Sequence, residues 1–199
     1  MQDNWTLPAY RAYLAGKKLQ NGSRSSKRTD VLNTEFIELL KSYFLEKDWD
    51  LLTEQKMNCS RGRSFKVDIL ARNKKNPDQV HVFLLKSVQS SYNKNRHNYG
   101  NTTIGEAMRL LAGDNIYKNS TFNWISWIPF SVPTGLTGFE TPIVSSQDSE
   151  LKLLQHGIDG WGHLNCKITS TKIRYDLLHN KEKAYGWDPL HKLLESLNG

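Results

Sequence analysis

Residues 64 to 88 read SFKVDILARNKKNPDQVHVFLLKSV: two apolar runs of strand length, with an aspartate, Asp68, inside the first and a lysine, Lys86, inside the second. Val67 and Ile69 flank Asp68, and Phe83 and Leu85 precede Lys86. Both runs therefore carry the two-residue alternation of a pleated strand. The turn signal KKNPD separates them. A further run, WDLLTEQKM (49 to 57), lies upstream, and the connecting NCSRGRS contains Gly62, which can supply a turn with positive φ. The first two runs read as a hairpin that turns about Arg61, and the third as the next strand.

A helix precedes this unit. Thr29 or Asp30 can cap VLNTEFIELLKSYFLEK, in which Val31, Leu32, Phe36, Ile37, Leu39, Leu40, Phe44 and Leu45 follow a helical period. After the lysine strand, TTIGEAMRLLAG (102 to 113) reads as a short helix ending at Gly113. FNWISWIPF (122 to 130) reads as a strand buried on both faces and stopped by Pro129 and Pro133. The order helix, strand, strand, strand, helix, strand predicts an α/β fold, a mixed sheet flanked by helices. Residues 131–199 contain a helix-like SELKLLQHG, a strand-like LNCKITSTKIRYDLL and an amphipathic DPLHKLLESL, an extension that completes the same unit. At 199 residues, with no internal repeat and no Pro/Gly-rich linker, one domain is expected.

Lysine and arginine number 27 against 20 acidic residues, a formal net charge of +7, which favours a polyanionic partner. The charge is concentrated. KKLQNGSRSSKR (17 to 28) holds Lys17, Lys18, Arg24, Lys27 and Arg28 without an acid and reads as a basic arm. SSYNKNRHNYGN (90 to 101) directly follows the lysine strand. Its Ser90, Ser91, Tyr92, Asn93, Lys94, Asn95, Arg96, His97 and Asn98 combine phosphate-binding charge with amides able to pair with adenine edges. Cys59 and Cys166 have neither disulfide-framework nor metal-ligand spacing, so a reducing, cytoplasmic compartment is expected. The first twenty residues are too polar for a secretory leader, and no apolar run approaches a membrane span.

Taken singly, Asp68 is an ordinary sheet charge and Lys86 a lysine that must reach solvent or meet a carboxylate. Together, and in this order of elements, they resemble the PD-(D/E)xK nuclease superfamily, above all type II restriction endonucleases, over residues 29–130. The resemblance implies that Asp68 binds a divalent metal, Mg²⁺, and that Lys86 orients or activates the attacking water. It also implies a second acid two residues before the lysine, and there this chain has Leu84, which cannot ligate a metal.

Three explanations stand. The acid has migrated to Glu106 on the following helix, as in some restriction enzymes of the superfamily, and this is the favoured one. Alternatively Glu54 supplies it: a turn about Arg61 sets positions 54 and 68 opposite one another on one face. In the third, Leu84 marks a dead site on a protein that only binds DNA. Glu35 on the first helix is a supporting acid. A His-based ββα-metal nuclease would use NRHNYGN around His97 but leaves Asp68 and Lys86 unexplained. The expectation is a Mg²⁺-dependent endonuclease of restriction type acting as a homodimer on a short, palindromic site in double-stranded DNA, since symmetric cleavage of two strands calls for two related sites. The alternatives are a sequence-specific DNA-binding protein on a degenerate nuclease fold and a repair or recombination nuclease.

Overall fold

The computed structural model describes residues 27–58, 64–87, 98, 102, 105–106, 120–131, 167–176, 184–185 and 187–197. Helix α1 (Lys27–Lys41) leads into β1 (Trp49–Asn58), β2 (Ser64–Asn73) and β3 (Val80–Ser87), followed by β4 (Thr121–Ser131), β5 (Lys167–Asp176), β6 (Ala184–Tyr185) and helix α2 (Trp187–Leu197). The strands form one sheet in the order β1-β2-β3-β4-β5-β6. β1, β2 and β3 are antiparallel neighbours, β3, β4 and β5 are parallel, and β6 returns antiparallel to β5. The α/β class and the mixed sheet are as the sequence predicts.

Two layers of side chains make the core. Leu32, Phe36, Leu39 and Leu40 of α1, with Phe44 just past it, and Leu190, Leu194 and Leu197 of α2 pack against Ile69, Ala71, Phe83, Leu85, Ile125 and Trp127. A second cluster of Met57, Val67, Leu70, Val80, Val82, Leu84, Phe122 and Trp124 forms apart from the helices. In β3 and β4 the odd-numbered side chains join the first cluster and the even-numbered ones the second, as strand alternation dictates for a sheet buried on both faces. Phe36 meets Phe83 and Trp127 edge-to-face at centroid distances of 5.8 and 5.9 Å, which fixes α1 over the centre of the sheet.

Several boundaries differ from the sequence reading. α1 begins at Lys27, so Lys27 and Arg28 belong to the helix and not to a basic arm; both are good helix formers, and Asp30 in the first turn suits the helix dipole. It ends at Lys41 because the chain tightens there: Ser42 and Tyr43 donate to the carbonyls of Leu39 and Leu40 three residues back, at 3.1 and 3.0 Å. That turn drives Phe44 into a ring cluster with Trp49, His81 and Phe83. β4 runs through Pro129 to Ser131, with a register shift between them where the proline cannot donate. Asn98 is helical and exposed, so helical backbone starts inside the segment expected to be a loop. Residues 131–199 contribute β5, β6 and α2.

The β2–β3 ladder is short. It runs from Arg72 opposite Val80 to Ile69 opposite Phe83 and stops, whereas β1 and β2 stay paired out to Asn58 opposite Ser64. From Asp68 to Ser64, β2 therefore has only β1 as a ladder partner among the described residues, and the two strands form a ribbon. The splay opens beside the C-terminal end of β3, where the lysine lies.

Candidate active site

Asp68 is the first residue of β2 beyond the last pair with β3. With the backbone ladder ended, the N–H of Leu85 donates to Asp68 Oδ2 at 2.8 Å, so the side chain takes the place of a strand carbonyl and is held by the strand that carries the lysine. Burial raises the Asp68 carboxyl above the ordinary aspartate range. The Leu85 N–H and the Lys86 ammonium oppose that shift, while the carboxylates of Glu106 and Glu54 reinforce it. Desolvation dominates, and the group holds its proton more tightly than a free aspartate.

Lys86, the next residue along β3, lies opposite Ser126 of β4 and places its Nζ 2.7 Å from Glu106 Oε1. The two side chains are 18 and 13 % exposed. Glu106 belongs to helical backbone seen at Asn98, Thr102, Gly105 and Glu106, within the crossover joining the parallel strands β3 and β4. Its other oxygen, Oε2, is buried and has no hydrogen-bond partner among the described residues. A desolvated carboxylate oxygen left unsatisfied is costly unless a cation or a donor meets it.

Glu54 faces the site from β1. Thr53 opposite Ile69 and Gln55 opposite Val67 place position 54 against position 68, as a turn about Arg61 requires, yet the 54–68 pair itself is missing from the ladder. Glu54 has φ 52°, the left-handed region, and among the described residues no other non-glycine does. The conformation costs about 1–2 kcal/mol for a residue with a Cβ. Its side chain is 68 % exposed and pairs with Lys66 at 2.9 Å.

The structure thus brings Asp68, Lys86 and Glu106 together and sets Glu54 at the rim. Leu84 lies 1 % exposed in the second core cluster, so hydrocarbon fills the position where the resemblance implies an acid. Glu35 is half-buried on α1. Lys17, Lys18 and Arg24 of the arm, Ser90, Ser91, Tyr92, Asn93, Lys94, Asn95, Arg96 and His97 of the second basic segment, and both cysteines lie outside the described residues, as does SELKLLQHG. Among the described residues no helix is long and apolar enough to cross a membrane.

Among the described residues no three His, Cys, Asp or Glu side chains cluster closely enough to enclose a metal ion. Mg²⁺, the ion that the resemblance implies, keeps several waters and is held through one or two carboxylates together with substrate phosphate, so it does not require a third protein ligand. Asp68 and the unsatisfied Oε2 of Glu106 are the donors that fit it.

The sequence left two features of the site unread. The Leu85 N–H that fixes Asp68 becomes available only because the β2–β3 ladder stops, and nothing in the composition of either strand marks that point. The pairing of Lys66 with Glu54 went unread although a signal for it exists, since a hairpin turning about Arg61 sets Lys66 one diagonal step from Glu54.

No family model matches the chain, and no curated protein matches it at a significant level. Among solved structures, Pyrococcus furiosus SfsA in complex with Ca²⁺ aligns with 75 % of the chain at 13 % identity and a TM-score of 0.34. The chain spans 59 % of that protein's length.

Proposed function

We propose that the chain is a Mg²⁺-dependent endonuclease of restriction type, hydrolysing phosphodiester bonds in double-stranded DNA at a short, palindromic site as a homodimer. The observation that supports it most is the meeting of a half-buried carboxylate, a desolvated lysine and a helix-borne glutamate at one splayed strand pair: Asp68 on the Leu85 N–H, and Lys86 on Glu106.

The chemistry a divalent cation supplies when bound there is charge on a phosphate oxygen and a more acidic water. The chain's own residues do the rest. Asp68 and Glu106 would hold the cation, each tied to β3 by a bond to Leu85 or Lys86. An ammonium has three donors, so Lys86 can keep Glu106 and still donate to an attacking water or to the phosphate oxygen that gains charge in the transition state. The helix position of Glu106 makes Leu84 tolerable, because ligation depends on where an oxygen lies and not on its spacing in sequence.

One observation favours a second reading. Leu84 is fully packed, so a protein that had lost cleavage and kept DNA binding would look similar at that position. Plasmid DNA incubated with the protein and Mg²⁺ separates the two. Discrete fragments that vanish in Asp68→Ala, Lys86→Ala and Glu106→Gln support the enzyme; retarded DNA that stays intact supports the binding protein, and smears support a repair or recombination nuclease.

A further inference from the structure

Beyond Asp68 the β1–β2 ribbon alternates strictly. Met57 lies opposite Phe65 and both join the second core cluster, whereas the next pair, Lys56 opposite Lys66, is exposed. Two ammonium groups directly opposed across a strand pair repel and destabilise the ribbon. A lysine on an edge strand is a familiar guard against edge-to-edge aggregation, which accounts for Lys56 on β1. The same guard extends to Lys66, whose stretch of β2 pairs with β1 alone among the described residues, but edge protection does not require two lysines set directly opposite one another beside Asp68. Lys66 stands two residues from Asp68, about 7 Å along the strand, and is neutralised by Glu54, itself in a strained backbone conformation at the rim of the site.

We propose that this ribbon is a second DNA-contacting surface. Lys56 and Lys66 take backbone phosphates on the hairpin side of the cleaved bond, and Glu54 holds Lys66 until a phosphate displaces it. The proposal rests on reading the chain as a DNA nuclease, and it adds to the basic arm and the second basic segment a contact surface that neither includes. The shape agrees, since a two-stranded ribbon is narrow enough to lie along a groove of duplex DNA.

The test is duplex binding by the full chain in chelator, so that neither metal loading nor cleavage contributes, measured across a salt series. Each phosphate contact removed lowers the slope of log K against log salt by about 0.9. Lys56→Gln/Lys66→Gln is expected to lower it by about 2, weakening binding at low salt far more than at high salt, and Glu54→Gln is expected to tighten binding. The control pair Lys47→Gln/Lys75→Gln removes the same charge from 76 and 84 % exposed lysines at the opposite end of the hairpin, and is expected to leave the slope unchanged. Equal loss in both pairs means that net charge alone is felt, and overturns the proposal, as does an unchanged slope in Lys56→Gln/Lys66→Gln. If the unaltered protein does not bind duplex at low salt, the nuclease reading itself falls, an outcome distinct from either of these.

Discussion

Asp68 sits where its charge is penalised, and that has a measurable consequence. Its folded-state pKa is raised by burial, so the stability contributed by the protonated form is present at low pH and lost as pH rises through the folded value. Asp68→Asn keeps a carbonyl oxygen for the Leu85 N–H and removes the charge. It is expected to raise the melting temperature of the metal-free protein at pH 7 and to leave it unchanged near pH 3, while abolishing cleavage. Ca²⁺ should stabilise the unaltered protein and not the variant. His81 behaves in the opposite sense. It is 3 % exposed, its Nδ1 lies 2.9 Å from Thr121 Oγ1, its ring sits against Phe44 and Trp49, and burial lowers its pKa to about 4. A base with a lowered folded pKa stabilises fully above its unfolded value of about 6.5 and loses that stability as pH falls towards the folded value. Urea titrations from pH 7 to pH 4 should show a loss of about 3 kcal/mol assignable to this side chain, and His81→Phe should remove that part of the acid slope.

At the scale of elements, α1 is held by Phe36 and the site by the end of β3. Phe36→Ala empties a position shared with Phe83 and Trp127 and is expected to destabilise the fold by about 3–5 kcal/mol in denaturant titration. Leu84→Glu, which would put an acid where the nucleases this sequence resembles have one, buries a carboxylate among Val82, Trp124 and Met57. It is expected to destabilise by several kcal/mol, at least the ~2–5 of a Leu→Ala change, and to leave Glu106→Gln unrescued. Much of this level was legible in the sequence, because the period-two runs at 49–58, 64–73 and 80–87 and the apolar stripe of α1 are signals a strand or helix cannot avoid carrying. Position 54 opposite 68 followed from hairpin arithmetic alone. The end of α1 was not legible: VLNTEFIELLKSYFLEK keeps its helical period past Lys41, and the turn at Ser42 is set by the demand of the core for Phe44. The continuation of β4 through Pro129 was misread for a similar reason, since the shift of register that accommodates a proline belongs to the partner strand as much as to its own.

For the whole molecule, the sheet explains why residues so far apart in sequence meet at one place. An antiparallel hairpin brings Glu54 to Asp68, a shortened ladder turns Asp68 onto Leu85, and the crossover between parallel strands returns Glu106 to Lys86. A formal net charge of +7 favours polyanions over the whole chain, an effect that should fade with ionic strength. What sequence spacing could not show was which acid would reach the lysine, because that depends on the path of the crossover through space. The most direct measurement is anomalous diffraction from crystals soaked in Mn²⁺ as a stand-in for Mg²⁺. The account predicts one peak about 2.0–2.2 Å from an Asp68 carboxylate oxygen and from Glu106 Oε2, absent in Asp68→Asn. A chain that binds no ion there, or binds it only at sites remote from both carboxylates, contradicts it.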